Sequence, residues 1–311
     1  MKARASASAT QAIGSVRSSQ PNLRRVEMMS SHDAVTIQEL EETRTAWDRI
    51  AAGYDRNVTP THMWLGNEGL RRAQLRSGMR FLDVAAGNGA LSIPAARLGA
   101  QVVATDLSPA MLEQLAARAR KEGLEIETRV MDGHALDLDN DSFDMAGSQF
   151  GVMLFPDMPK GISEMVRVVK PGGRVLMNVY GNPHEIEFFG FFMAAIQSVR
   201  PDFDGPPADP PPLPFQLQDP ERLRRELEGA GLRDVVVETI TESLEFQTGR
   251  ELWEWLVSSN PIAEGILGDL GISDDERVVI EQSLERLVRE RAGSGESAVL
   301  TNPINIGIGT K

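Results

Sequence analysis

Phe81-Leu82-Asp83-Val84-Ala85-Ala86-Gly87-Asn88-Gly89-Ala90 is the stretch on which the fold turns. Phe81 to Ala85 reads as a buried strand, Gly87 and Gly89 mark a sharp turn, and Ala90 to Leu98 has helical periodicity. The same rhythm runs outward from it. Gln101 to Thr105 reads as a strand, Ser108 to Glu122 as a helix, Glu125 to Met131 and Phe143 to Ser148 as strands, Lys160 to Val168 as a helix and Gly173 to Tyr180 as a strand. Strands separated by helices need crossover connections, and these give a parallel sheet covered on both faces. The expected core is a doubly wound, mostly parallel, Rossmann-like α/β sheet.

The flanks read differently. From Thr36 the residues Ile37, Leu40, Trp47, Ile50 and Ala51 share one helical face ending at Gly53, and a linker around Pro60 leads to a short helix from Asn67 to Gln74. Beyond Tyr180, a helix from Ile186 to Val199 is apolar on more than one face, and Pro206 to Pro214 is a proline-rich loop. A helix from Pro220 to Ala230, a strand from Asp234 to Phe246, helices from Arg250 to Leu267 (broken near Pro261) and from Ser273 to Arg291, and a strand-like stretch from Ala298 to Thr310 complete the chain. These breaks predict a tail (1–35), a helical cap (36–75), the core (76–182), a cap insertion (183–218), a core helix and strand (219–248), a helical insertion (249–296) and a final strand (297–311).

Composition narrows the function. The 311 residues carry 45 acidic against 32 basic side chains, a formal charge of −13, which argues against a broad nucleic-acid footprint. There is no cysteine, so disulfides, thiolate metal sites and cysteine nucleophiles are excluded, and four histidines without H-E-x-x-H spacing give no metal signal. No apolar run is long enough to span a bilayer, so a cytoplasmic protein without a transmembrane segment is expected, with peripheral membrane contact left open. Residues 1–35 hold five basic side chains (Lys2, Arg4, Arg17, Arg24, Arg25) and two acidic ones (Glu27, Asp33). That composition suits a disordered tail, a start of translation at Met28 or Met29, or an organelle transit peptide.

The glycine loop carries the chemistry. Glycine at 87 and 89 lets the backbone approach a ligand, and the following helix N-terminus offers free N–H groups. Seventeen residues after Gly89, Asp106 ends the next strand, where a carboxylate can accept both hydroxyls of a ribose. A dinucleotide fingerprint would put a third glycine where Ser92 stands, and the Asp83 carboxylate would repel a pyrophosphate while suiting a ligand with an ammonium and a sulfonium.

At these residues the chain resembles the class I S-adenosylmethionine (SAM)-dependent methyltransferases, whose loop reads D-x-G-x-G-x-G. Ala85 replaces the first glycine, a change expected to need only an ordinary φ there. Thr105-Asp106-Leu107-Ser108-Pro109 resembles that family's second strand end, which implies Asp106 on the ribose and Leu107 against adenine; Ser108 and Pro109 also read as N-cap and first residue of a helix. Met131-Asp132-Gly133-His134 resembles the third strand end, implying Asp132 on the adenine amino group, and Gln149-Phe150-Gly151 follows the fourth strand at the methyl-transfer face. Arg167-Val168-Val169-Lys170-Pro171-Gly172-Gly173 resembles the family's R-x-L-K-P-G-G turn. Trp47-Asp48 and Ala52-Gly53-Tyr54-Asp55 resemble the leading segment of ubiquinone/menaquinone-biosynthesis-type members. The resemblance covers roughly residues 45–180 and implies a seven-stranded sheet with an antiparallel last strand, for which Ala298 to Thr310 fits.

SAM is therefore the expected cofactor, with Tyr54, Asp83, Ala85, Gly87, Asn88, Gly89, Asp106, Leu107, Met111, Asp132, Gly133 and Gln149 as candidate binding residues. The expected reaction is C- or O-methylation of a small apolar or aromatic acceptor touching Phe150, Phe188 and Phe192. Sulfonium is a good leaving group, so positioning and exclusion of water suffice and a general base is optional. His62, His134, His184 and Tyr180 are the weak candidates for one. The rival readings are an NAD(P)-dependent oxidoreductase and a non-catalytic SAM-binding protein on the same fold.

Overall fold

The computed structural model describes residues 31–206 and 210–311, and side chains from Gln38 onward. The expectations for the N-terminal tail up to Ser30 and for residues 207–209 of the proline-rich loop lie outside the described residues. Two compact units divide the chain, residues 1–42 and 43–311. Of the first, the described part is helical, with Gln38 donating to Glu42 one turn on; the account below concerns the second.

Local chemistry places the elements. Helix α1 (Ser31–Asn57) continues past Gly53, where the sequence suggested a stop. Gly53 instead allows close packing, since a Cβ there would lie 2.8 Å from Ser258 Oγ. Pro60 is likewise no linker but sits in the first turn of α2 (Thr59–Arg72), where a missing N–H costs nothing. The elements β1 (Arg80–Val84), α3 (Ser92–Arg97), β2 (Gln101–Asp106), α4 (Pro109–Glu122), β3 (Ile126–Val130), β4 (Phe143–Gln149), α5 (Met158–Val168) and β5 (Val169–Tyr180) follow in the expected order. Ser108 caps α4 by accepting from Met111 N, and Gly123 ends it in the left-handed region. Next come α6 (Glu187–Gln197), α7 (Pro220–Gly229), β6 (Arg233–Phe246), α8 (Gly249–Ser259), α9 (Pro261–Asp269), α10 (Asp274–Ala292) and β7 (Ala298–Thr310). Pro261 breaks α8 from α9 as its chemistry requires, and Ser273 with Glu276 forms a capping box on α10.

The sheet has seven strands in the order β3-β2-β1-β4-β5-β7-β6. Strands β1 to β5 pair in parallel, whereas β7 is antiparallel to both β5 and β6. The order reverses between β1 and β4, and in such sheets the crevice outside the carboxyl ends at that point holds the ligand. The glycine loop after β1 and the Phe150-Gly151 pair after β4 both lie there. β5 pairs with β7 only as far as Tyr180 opposite Ile304, yet β6 and β7 continue together to Phe246 opposite Ala298. This overhang carries Glu242 opposite Asn302.

Two large apolar cores follow from that shape. One fills the space between the sheet and helices α2, α3, α5 and α7. The second covers the overhang with α6, α8, α9 and α10 and is rich in aromatic rings, including Phe188, Phe192, Phe246 and Trp255. No helix among the described residues is long and apolar enough to cross a membrane.

Candidate functional site

The loop after β1 is fixed by backbone bonds: Ala86 N donates to Thr105 O at 2.9 Å and Gly89 N to Ala86 O at 2.9 Å. To reach them the chain turns at Ala85, whose φ is 55°, so the expectation of an ordinary φ at this position is wrong. Alanine holds this left-handed conformation at a cost of about 1–2 kcal/mol that a glycine would not bear. Its methyl fits only because residue 151 is glycine: a Cβ on Gly151 would lie 2.5 Å from the Ala85 Cβ. Gly87 (φ 53°) and Gly89 (φ 88°) also lie in the left-handed region. A Cβ on Gly87 would meet nothing within 4 Å, whereas one on Gly89 would strike Leu115 Cγ at 2.8 Å. Gly87 thus faces open space, and Gly89 faces the core.

Three polar side chains surround this loop. Asp83 is buried; its Oδ2 accepts from Ser92 Oγ at 2.6 Å, and its Oδ1 has no partner among the described residues. Burial pushes its carboxyl up to about 7. Asp106 accepts from Gly87 N through Oδ2 and from Ser108 N through Oδ1, each at 2.8 Å. Burial pushes it up to about 6 against the pull of these backbone donors. Asn88 donates to Ala51 O at 2.7 Å, joining the loop to α1, and leaves its Oδ1 unpartnered. α1 is held over the loop by Asp48, which accepts from Ser108 Oγ and Ala110 N, and by Asp55, which Arg118 grips with two nitrogens. Burial raises the Tyr54 hydroxyl pKa, and the charges of Asp106 and Glu242 add to it.

Other predicted residues have protein partners already. Asp132 accepts from His134 N at 2.9 Å and pairs with His134 Nδ1 at 2.7 Å, which lowers its carboxyl below the usual range. The His134 ring lies 4.4 Å from that of Phe155, and Gly133 is glycine because a Cβ would strike the same ring at 2.5 Å. Gln149 donates to His62 O and accepts from Asn178. Leu107 is half-buried and Met111 is buried behind the α4 cap. His184 is exposed in the turn Pro183–Glu185, away from these residues' contacts.

Beside the loop lies an aromatic cluster. Phe150, itself at φ 59°, stacks on Tyr180 at 4.3 Å between ring centroids and touches the His62 ring at 4.9 Å. Phe188 contacts Tyr180 at 5.7 Å and Trp255 at 4.9 Å, and Trp255 stands edge-on to His62 at 5.8 Å. Phe192 lies in the second core. Within the cluster the His62 ring is buried with neither nitrogen hydrogen-bonded, and Glu242 Oε1 is 3.8 Å from Nε2. Burial lowers His62 to about 3 and raises Glu242 to about 8.

Sequence reading missed Ser92 as the partner of Asp83, and it missed Glu242, Asn302 and Trp255 altogether. A signal for Glu242 existed: it shares its face of β6 with Ile240, Leu244 and Phe246, so a carboxylic acid occupies an apolar register.

The residues present fit SAM. At one loop stand a carboxyl oxygen of Asp83 and an amide oxygen of Asn88 without partners among the described residues, beside a glycine at 87 with open space around it, a donor set suited to a cation-bearing nucleoside. Residues 81–173 match a family model described as a methyltransferase domain. An uncharacterised protein of Mycobacterium tuberculosis is 41% identical over 140 residues, covering 45% of this chain and 49% of that protein. The chain thus spans about half the length of that relative. A ubiquinone/menaquinone biosynthesis C-methyltransferase of Bdellovibrio bacteriovorus is 30% identical over 173 residues, covering 53% of this chain and 73% of that protein. The crystal structure of a methyltransferase candidate from Bacillus halodurans shares the fold, with a TM-score of 0.50 at 17% identity over 78% of this chain and 97% of that one. With the sheet order, the glycine loop and the Bdellovibrio relative in agreement, the chain belongs to the class I SAM-dependent methyltransferases.

Proposed function

We propose that this protein transfers the methyl group of SAM to a small apolar or aromatic acceptor, by C- or O-methylation. The observation that carries the acceptor class is the aromatic cluster: Phe150 stacked on Tyr180, with Phe188 and Trp255 beyond, starts one residue from Gly151, which abuts Ala85 of the glycine loop. SAM supplies an electrophilic methyl on a sulfonium. The protein's share is to hold donor and acceptor in line and to keep water out, and an aromatic wall does both for a flat apolar ring.

In this reading Asp106 takes the ribose hydroxyls on the lone pairs that its bonds to Gly87 and Ser108 leave free, Asp83 faces the cationic end, and Asp132 and Leu107 contact the adenine. Tyr54 covers the cofactor from α1. His134 is held by Asp132 and serves to position it. The name of the Bdellovibrio relative, a C-methyltransferase of quinone biosynthesis, supports a ring-shaped acceptor. Asp83 and the serine at 92, bonded to each other, speak against a dinucleotide pyrophosphate at the loop.

The test is release of S-adenosylhomocysteine from SAM with a panel of lipophilic aromatic compounds and a panel of small polar amines such as glycine. Turnover confined to the aromatic panel is expected. Turnover with the polar panel alone would overturn the acceptor class.

A further inference from the structure

Buried polar atoms in native folds are nearly all hydrogen-bonded, so a group of them without partners calls for an explanation. Around the aromatic cluster there are four such atoms on three residues: Nδ1 and Nε2 of His62, Oε1 of Glu242 and Oδ1 of Asn302. All three residues are at least 98% buried. They come from three separate elements, α2, β6 and β7, so no local turn accounts for them. Asn302 Nδ2 donates weakly to Glu242 Oε2 at 3.4 Å, which orients the carboxyl and leaves Oε1 toward the histidine. At 3.8 Å, Nε2 and Oε1 are too far apart for a hydrogen bond to each other. One hydroxyl oxygen at about 2.8 Å from each would bridge that gap.

The chemistry of the three groups fits that guest. A neutral imidazole has one donor and one acceptor nitrogen, and a buried carboxyl or amide offers both functions. The surroundings are otherwise rings: Phe150, Tyr180, Phe188 and Trp255, with Phe246 behind Trp255 at 6.0 Å. An apolar ring carrying one hydroxyl would match the rings with its face and the polar spot with its oxygen.

We propose that His62, Glu242 and Asn302 form the specificity determinant of the acceptor site, pairing one hydroxyl of an otherwise apolar aromatic acceptor. This assignment rests on the aromatic-acceptor reading above. His62 and Glu242 touch the hydroxyl; Asn302 is a positioning residue that acts through Glu242. A site built to pair a hydroxyl discriminates strongly against the analogue without one, because its own polar groups are then left unpaired.

The experiment uses the full chain saturated with S-adenosylhomocysteine and titrated calorimetrically with 2-naphthol and with naphthalene. Melting temperature and SAM affinity are measured on every variant. Wild type should prefer 2-naphthol by at least about tenfold. Glu242→Met should abolish the preference in a protein that remains folded, its melting temperature lowered by no more than a few degrees as Asn302 Nδ2 loses its weak bond to Oε2. Glu242→Gln, which keeps an uncharged donor and acceptor in the same shape, should retain the preference within about threefold. His62→Phe should lose it with SAM affinity unchanged.

Equal affinity for the two compounds in wild type would overturn the assignment while leaving the aromatic-acceptor reading intact. A preference that survives both Glu242→Met and His62→Phe would also overturn it. Binding of SAM without binding of either compound would overturn the aromatic-acceptor reading, and this assignment with it.

Discussion

Replacing each glycine of the loop by alanine separates the ligand side of the turn from its core side. At Gly87 the backbone sits at φ 53°, where an alanine costs about 1–2 kcal/mol, partly offset by the lower entropy of its unfolded chain, about 0.4–1 kcal/mol. No atom lies within 4 Å of the added methyl, so no packing cost is added and Gly87→Ala should lose about 1 kcal/mol, or some 2–4 °C in melting temperature. At Gly89 the φ of 88° brings a comparable strain, and the methyl would lie 2.8 and 3.0 Å from two carbons of Leu115, which is fully buried and cannot move aside. Overpacking of this kind adds about 1–3 kcal/mol, so Gly89→Ala should lose roughly 2–5 kcal/mol. SAM affinity should show the opposite ranking relative to stability. Gly87→Ala puts a methyl where the cofactor approaches and should weaken binding at least tenfold, about 1.4 kcal/mol, in a protein that remains folded. Calorimetric titration and thermal melts on the two variants decide it: normal SAM affinity in Gly87→Ala, or a wild-type melting temperature in Gly89→Ala, would refute the assignment of sides.

Other expectations concern the rest of the site. Asp106→Ala should weaken SAM at least tenfold in the same titration without unfolding the protein, since two charge-assisted bonds to the ribose hydroxyls, at roughly 1.5–3 kcal/mol each, can no longer form. Phe188→Ala and Phe192→Ala, both buried in the second core, should each cost roughly 3–5 kcal/mol in denaturant melts, and Phe188→Ala, whose ring borders Tyr180 and Trp255, should in addition change acceptor turnover. Stability should also depend on pH in a defined sense. Glu242 titrates near 8 in the folded protein against an ordinary 4.5, so the stability it contributes is complete below the ordinary value and is lost as pH rises through about 8. Asp83, near 7, and Asp106, near 6, act in the same direction at lower pH, while His62, lowered to about 3, opposes them below its ordinary 6.5. Tyr54 and Tyr180, the other titratable groups facing Glu242, are pushed above their ordinary value and stay neutral throughout. Between pH 7 and 8 Glu242 therefore dominates: wild type should lose about 1.4 kcal/mol there and Glu242→Met only the roughly 0.4 kcal/mol that Asp83 contributes; an equal slope in both proteins would assign the effect elsewhere.

How much of this was legible in the sequence depends on whether the signal was local. The glycine turn, the Ser108-Pro109 helix start, the Pro261 break and the Ser273 cap are each set by a few adjacent residues, and each stands where its chemistry puts it. The sheet followed from alternation, and its antiparallel last strand from the family resemblance. Three readings failed: at Gly53 and Ala85 a distant residue overrides a local rule, and at Pro60 two local rules compete, since proline suits the first turn of a helix as well as a linker. Gly53 does not end α1 because Ser258 packs on it; Pro60 starts a helix instead of separating two; Ala85 takes a positive φ because Gly151 makes room for its methyl. The polar spot was invisible for the first of these reasons. His62 and Glu242 are 180 residues apart in sequence and meet only because β6 and β7 overhang β5.

The most direct measurement is a calorimetric titration of the purified full chain with SAM and, separately, with NAD. One SAM per chain, released in favour of S-adenosylhomocysteine and weakened by Asp106→Ala, with no heat from NAD at the same concentrations, is the predicted result. Saturable binding of NAD with none of SAM would contradict the account at the glycine loop, from which everything else here is built.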